Sequence, residues 1–263
     1  MKPLLPGTIG ADGRPVTLGV MGGGQLGRMF VQAAQSMGYF TAVLDPDKTS
    51  PAGLVAHYHI DADYLDEQGL AQLMQRCAAI TTEFENVPAP ALYTLGAHRP
   101  VSPSAESVAI CQDRAAEKRH FVKSGVACAP FAVIDSEADL AKVDAALLPG
   151  ILKTSRLGYD GKGQAHAPDR AALAAAWTAL KQVPCVLEKR LPLRHELSVI
   201  VARGADGTVV HLPVQQNLHR DGILAVTQVP APDIAPETQQ AAAESAQRLA
   251  QEMSYLGVLC VEF

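Results

Sequence analysis

The residues best suited to chemistry surround a lysine that leaves an apolar strand. Ile151-Leu152-Lys153 runs into Thr154-Ser155-Arg156-Leu157-Gly158-Tyr159-Asp160-Gly161-Lys162-Gly163-Gln164, with three glycines between positions 158 and 163. A lysine delivered by a strand can neutralise the inner phosphates of a nucleotide, while a glycine-rich loop closes over the outer ones and excludes water. A flexible hairpin with solvated lysines is the plain alternative. So many glycines directly after a buried strand favour the phosphate reading.

Two further segments carry acids where a nucleotide would need them. Val186-Leu187-Glu188-Lys189-Arg190-Leu191, followed by Glu196, sets one acid on a strand and another beyond its exit. Such a segment can hydrogen-bond an adenine edge, and the second acid can hold ribose hydroxyls; solvated acids beside basic neighbours fit the pattern equally well. In Val258-Leu259-Cys260-Val261-Glu262-Phe263, strand alternation places Glu262 on one face with Cys260 and Val258. A carboxylate on an apolar strand is costly unless paired or bound to a cation, which makes Glu262 a candidate magnesium ligand; an exposed strand-end acid is the alternative.

Gly22-Gly23-Gly24-Gln25-Leu26-Gly27 has the GxGxxG spacing, and Asp45 closes the next strand. Formally this is a dinucleotide fingerprint, with phosphate at a helix N-terminus and ribose hydroxyls on the acid. A lone GxGxxG is weak, and a tight strand-to-helix turn that binds no dinucleotide explains it as well.

The elements that must hold these residues fall into two halves. Residues 1–15 form a loose, Pro- and Gly-rich lead-in. From Val16, a short apolar strand, the glycine turn and a helix with Leu26, Met29, Phe30, Ala33, Ala34 and Met37 at helical spacing end at Gly38. Strands at 41–44 and 78–82 around a helix at 66–76 complete a βαβαβ pattern, hence a parallel sheet. One charged helix is expected over 104–124, with the domain boundary at residue 112. Beyond it the spacing predicts strands at 131–134, 150–153, 185–188, 197–203 and 209–213 and helices at 136–146, 169–181 and 236–255. Gly204-Ala205-Asp206-Gly207 reads as a hairpin. The fold class is therefore α/β, with a Rossmann-like domain over 1–112 followed by an α+β nucleotide-binding module over 113–263.

Composition narrows the partners. The 263 residues are 48% hydrophobic and 19% charged, which excludes disordered, coiled-coil and collagen-like chains. The formal net charge of −5 comes with no basic block, so neither nucleic acid nor an anionic membrane is an expected partner. Cys77, Cys111, Cys128, Cys185 and Cys260 form no CxxC pair or Cys/His cluster and read as reduced thiols of a cytoplasmic protein. No apolar run reaches the ~18 residues of a membrane span, and Pro6 and Gly7 interrupt the N-terminal one.

Four motifs in order resemble one family. Gly-Gly-Gln-Leu-Gly-Arg-Met at 23–29, Thr-Glu-Phe-Glu-Asn-Val-Pro at 82–88, Gly-Tyr-Asp-Gly-Lys-Gly-Gln at 158–164 and Asn-Leu-His-Arg-Asp-Gly-Ile-Leu at 217–224 are similar to the 5-(carboxyamino)imidazole ribonucleotide synthases of the ATP-grasp superfamily. The resemblance runs from Leu18 to Phe263. It implies a Rossmann-like N-terminal domain, an ATP-grasp module and a small C-terminal domain. It also implies a purine-biosynthetic ligase, homodimeric in the family, that joins bicarbonate to aminoimidazole ribonucleotide using ATP and Mg2+. By position, Arg114, Lys153, Gly158, Tyr159, Asp160, Gly161, Lys162, Gly163, Gln164, Glu188, Lys189, Arg190, Leu191, Glu196 and His219 correspond to ATP contacts. Lys153, Tyr159 and Lys162 are the expected catalytic set, and Glu262 corresponds to the first magnesium-binding acid. Gln25, Leu26, Glu83 and Glu85 fall in the region facing ribonucleotide and bicarbonate, as does Tyr159. The family pattern continues past Phe263 with a second metal-binding Glu, so a longer parent protein is expected.

The implied chemistry converts a bicarbonate hydroxyl into a phosphate leaving group, giving carboxyphosphate, which the amine then captures in a closed site. Three other functions remain in play. Another ATP-grasp carboxylase or formyl transferase would share the module. An NAD-dependent dehydrogenase would use Gly22–Gly27 and leave the 158–164 loop without a role. A non-catalytic nucleotide-binding fragment would bind ATP and turn nothing over.

Overall fold

The computed structural model describes residues 4–10, 13–158, 162–220 and 223–263. The chain divides into two compact units, Met1–Ala109 and Ile110–Phe263.

In the first unit, β1 (Thr17–Met21), α1 (Gln25–Ser36), β2 (Phe40–Leu44), β3 (Tyr58–Ile60), α2 (Glu67–Arg76), β4 (Ala79–Thr82) and α3 (Ala89–Gly96) follow one another. The four strands pair in parallel in the order β3-β2-β1-β4. Strand alternation divides their apolar residues between two faces. Val20 and Val43 pack with Val31 of α1, while Met21, Ala42, Leu44 and Ile80 pack with Leu73 of α2 and Leu92 of α3. Both faces are covered, as a parallel sheet requires. The carboxyl ends of β1 and β4 carry the glycine turn and Glu83, at the edge where such sheets place ligands.

The expected helix over 104–124 is two helices, α4 (Ala105–Cys111) and α5 (Arg114–Lys123). Asp113 separates them: its extended backbone ends one helical path, and its Oδ1 accepts from the Ala115 and Ala116 amides to start the next.

The second unit continues with β5 (Phe131–Ile134), α6 (Glu137–Lys142), β6 (Gly150–Thr154), β7 (Gln164–Ala167), α7 (Arg170–Ala179) and β8 (Cys185–Lys189). These strands form an antiparallel sheet in the order β5-β8-β6-β7. Leu152 and Leu187 face each other across β6 and β8, both fully buried, and pack with Leu173 and Trp177 of α7. The opposite face of the same strands therefore presents Lys153 and Glu188.

The remaining elements are β9 (Glu196–Arg203), β10 (Val209–His211), β11 (Gln215–Arg220), β12 (Ile223–Gln228), α8 (Pro236–Glu252) and β13 (Gly257–Glu262). β9 is the hub: it pairs antiparallel with β10, β11 and β13, and β12 extends the sheet beyond β11. Leu197, Val199 and Val201 bury one face of β9 against Ala246 and Leu249 of α8. β7, β11 and β12 were not expected as strands. β11 is polar along both faces and every residue of β12 is exposed, so neither shows the period-two apolar signal, while β7 alternates only over four residues with alanine as its apolar member. β3, three residues long, and α3, which starts at two prolines, also escaped periodicity.

Leu187→Ala empties a fully buried site one residue before Glu188, with little room for the rigid sheet to collapse. A loss of about 3 kcal/mol in urea unfolding is expected, and a change below about 1 kcal/mol would show that this sheet does not anchor the unit.

Candidate functional site

Lys153 and Glu188 meet because of antiparallel register. Lys153 lies opposite Val186 and Ile151 opposite Glu188, so the two charged residues are diagonal neighbours on one face of β6 and β8, within reach of long side chains. Lys153 Nζ lies 3.2 Å from Glu188 Oε2. Lys118 of α5 brings a second ammonium to the same oxygen, also at 3.2 Å. The other carboxylate oxygen, Glu188 Oε1, is buried and has no hydrogen-bond partner among the described residues. Burial acts to raise the Glu188 carboxyl, but the ammonium groups of Lys153 and Lys118 outweigh it and hold the group below its ordinary value. Glu117, the next residue on α5, goes the other way. Burial raises its carboxyl, and nearby Arg114, Lys118 and Lys153 only partly offset the effect.

The segment leading into the glycine loop is tied down locally. The Arg114 amide donates to Ser155 O at 2.8 Å, and Arg156 Nε donates to Asp113 Oδ2 at 3.2 Å. Thr154 Oγ1 donates to Arg156 O at 3.0 Å. Gly163 has φ +72°, and a Cβ there would meet Thr154 Oγ1 at 2.6 Å, so this position admits glycine only. Gly158 and Lys162 flank the loop and Gln164 opens β7; Tyr159, Asp160 and Gly161 lie outside the described residues. Beyond Glu188, the Lys189 and Arg190 amides donate to Pro130 O and Pro149 O, so neither is available to a base; Leu191 is exposed.

The second sheet collects the remaining candidates. Glu196 lies opposite Asn217, which brings the His219 ring to it: Nδ1 pairs with Glu196 Oε2. A buried polar chain continues this face, with Asn217 Nδ2 donating to Ser198 Oγ and Ser198 Oγ to Gln215 Oε1, both at 3.0 Å. Glu262 is opposite Ser198 and shares the face. Its face of β13, with Val258 and Cys260, is exposed, so burial supplies no argument for a cation there. Among the described residues no cluster of three or more His, Cys, Asp or Glu could hold a metal.

In the first unit the glycine turn is occupied by its own protein. The Gly23 amide donates to Asp45 Oδ2 at 2.7 Å and the Gly24 amide to Glu83 Oε2 at 3.2 Å. Tyr64 OH and the Asp47 amide also donate to Asp45, at 2.7 and 2.8 Å. Burial, then the bond to Asp45, raises the Tyr64 phenol, which keeps it a donor. The glycines are needed because acids pack on them: a Cβ at Gly24 would meet Glu83 Oε1 at 2.4 Å, and one at Gly22, whose φ is +102°, would meet Glu83 Oε2 at 2.7 Å. A pyrophosphate would find these two amides taken and two carboxylates beside it. The reading of Asp45 as a ribose ligand fails for the same reason, since its oxygens are committed inside the protein. Glu83 thus lies on the turn beside exposed Gln25 and Leu26, and Glu85 is exposed nearby in sequence, accepting from Asn86 Nδ2 at 3.0 Å.

Residues 16–112 match the ribonucleotide synthetase preATP-grasp domain, and residues 119–263 match the ATP-grasp domain. Over 250 residues the chain is 42% identical to N5-carboxyaminoimidazole ribonucleotide synthase of Brucella melitensis, covering 94% of this chain and 69% of that protein. The chain belongs to the N5-carboxyaminoimidazole ribonucleotide synthase family. A Bacillus subtilis member is 39% identical over 246 residues, covering 93% of this chain and 64% of that protein. A solved N5-carboxyaminoimidazole ribonucleotide synthetase in complex with ADP superimposes with TM-score 0.89 at 37% identity, over 98% of this chain and 66% of that one. The Aspergillus clavatus synthase in complex with ADP and 5-aminoimidazole ribonucleotide gives TM-score 0.84 at 29% identity, over 94% of this chain and 65% of that one. The chain thus spans about two thirds of the length of these synthases.

Sequence reading overlooked Lys118, Glu117 and the Ser198–Asn217 chain. Lys118 was accessible in principle, because it follows Arg114 by four residues and so shares its helix face. Ser198 and Asn217 were not, because their pairing depends on the register of β9 with β11.

Two outcomes follow from these geometries. A carboxyl whose folded pKa is raised favours folding below its unfolded pKa and opposes it as pH rises through the folded value, so Glu117 works against folding at neutral pH. Glu117→Gln should therefore raise the melting temperature at pH 7, with the gain gone below about pH 4; an equal shift at both pH values would refute the buried-charge account. Asp45→Asn replaces one acceptor oxygen with an amide donor that must face either the Gly23 amide and Tyr64 hydroxyl or the Asp47 amide, and should lose about 2–3 kcal/mol of stability in denaturant titration. An unchanged midpoint would mean that the turn does not depend on the carboxylate.

Proposed function

We propose that this chain is the nucleotide-binding core of an ATP-dependent carbon–nitrogen ligase that carboxylates aminoimidazole ribonucleotide with bicarbonate, through carboxyphosphate, in purine biosynthesis. One observation carries the reading most directly: the Lys153–Glu188–Lys118 cluster sits where β6 enters the glycine loop. One ammonium group from strand β6 and one from helix α5, set beside a glycine-rich segment, suit a polyanion whose transfer requires charge neutralisation and alignment. The relatives solved with ADP, and in one case with 5-aminoimidazole ribonucleotide as well, support the same substrates here.

In this reading the residues over 1–112 form the pre-ATP-grasp domain and those over 113–263 the ATP-grasp domain. Lys153 neutralises inner phosphates, and Arg114 and the 158–164 loop with Lys162 and Tyr159 enclose the outer ones. The Glu188–Leu191 segment takes the adenine, using groups other than the committed Lys189 and Arg190 amides. Glu196 holds ribose hydroxyls, and its bond to His219 orients both. Gln25, Leu26, Glu83 and Glu85 face the ribonucleotide and bicarbonate. A divalent magnesium ion suits this donor set, because magnesium binds through one or two carboxylates together with substrate phosphates, and Glu262 supplies one oxygen ligand on the open face of β13. When bound, it neutralises charge on the transferring phosphoryl group. The protein's own contribution is to align the bicarbonate oxygen with the terminal phosphate, then exclude water while the amine captures the activated carboxyl. We place the enzyme in the cytoplasm as a homodimer, in keeping with its five cysteines, which read as reduced thiols, and with the family it belongs to.

Calorimetry tests the nucleotide site. Lys153→Ala should weaken ATP binding by about 2–3 kcal/mol in a folded protein, as expected for one charge-assisted phosphate contact, while NAD should give no thermal shift with either form. Unchanged ATP affinity, or stabilisation by NAD, would overturn the assignment.

A further inference from the structure

Two ammonium groups share one oxygen of Glu188, and they are not equivalent. Lys153 has 23% of its side chain exposed and Lys118 only 12%. Lys153 is the penultimate residue of β6, which ends at Thr154 before the glycine-rich segment. Lys118 sits in the second turn of α5, whose start is fixed by the Asp113 cap, the Arg114 amide on Ser155 O and the Arg156–Asp113 ion pair. Glu188 itself is 8% exposed, and its Oε1 has no partner among the described residues, so compensation comes from the ammonium groups at Oε2. A buried carboxylate that loses its only counter-ion is heavily penalised, so a lysine alone with Glu188 could not readily turn to another anion.

We infer that Lys118 is a positioning residue of the nucleotide site: as the standing counter-ion of Glu188, it releases the Lys153 ammonium to the phosphates of a bound nucleoside triphosphate. The inference rests on the ATP reading above and deepens it. With Lys118 in place, Glu188 keeps a partner when phosphate oxygens compete for Lys153. Without it, Lys153 stays on Glu188, and the cluster facing the phosphates loses one positive charge. Glu117 and Arg114, the other charged groups of this face of α5, leave the imbalance unrepaired, since one is a further acid and the other is directed to Thr154 O, with Nε at 3.4 Å.

The experiment measures ATP and adenosine binding to the 263-residue chain and to Lys118→Met, Lys118→Arg, Glu188→Gln and Lys118→Met/Glu188→Gln. Lys118→Met should weaken ATP about tenfold or more and leave adenosine unchanged, because adenosine has no phosphates to recruit Lys153. Lys118→Arg should restore most of the ATP affinity. Against Glu188→Gln, the Lys118→Met penalty should largely vanish, because the anion that detains Lys153 has been neutralised. Equal losses for ATP and adenosine would show a merely structural role and overturn the inference, as would unchanged ATP affinity. A penalty that persists in full with Glu188→Gln would put Lys118 on the nucleotide itself and overturn it too. If the unmodified chain binds no ATP, the nucleotide reading fails and the inference falls with it.

Discussion

A buried carboxylate that must be compensated organises the second unit. Glu188 lies on a strand whose opposite face buries Cys185 and Leu187 in the core, and it stays charged because Lys153 and Lys118 reach one of its oxygens. Desolvation alone would push the carboxyl toward its neutral form, and two cations reverse that. The requirement ties three elements together. β6 and β8 must hold their register for Lys153 to lie diagonal to Glu188, and α5 must cover the sheet for Lys118 to arrive. A slip of one residue in β6 would turn Lys153 into the packing around Trp177 and bring Leu152 to the charged face. The apolar core and the charged site are two sides of one register.

The two units solve opposite problems with similar residues. In the second, two ammonium groups gather on Glu188 beside a glycine-rich segment. In the first, glycines at a helix start would ordinarily offer amides to an anion, yet Asp45 and Glu83 take the Gly23 and Gly24 amides. Buried polar groups ordinarily find partners, and in the first site carboxylates of the protein supply them, whereas Glu188 Oε1 of the second has none among the described residues. Exposed Gln25 and Leu26, on the first turn of α1, are what this turn presents outward.

The sheet around β9 separates an apolar face from a polar one by strand parity. Leu197, Val199 and Val201 pack on α8, while Glu196 and Ser198 join Asn217, Gln215 and Glu262 on the other face. Hydrogen bonds along this polar face fix the orientations of Ser198, Gln215 and Asn217, so Glu196 and His219 start from a preorganised background.

Much of this was legible from residue order. The apolar runs and their spacing determined the βαβαβ half, the strands that deliver Lys153 and Glu188, the helices at 170–179 and 236–252 and the 204–207 hairpin, because burial imposes periods that local sequence must obey. The motifs determined the family. Other features lay in contacts distant along the chain. That the GxGxxG amides bind Asp45 and Glu83 depends on residues 22 and 59 positions away. The strands β11 and β12, with polar or wholly exposed residues, exist because β9 and β11 offer a ladder to pair with, not because their own pattern demands one. Lys118 became part of the site only when α5 folded onto β8, since charge compensation acts through space and leaves no period in the sequence.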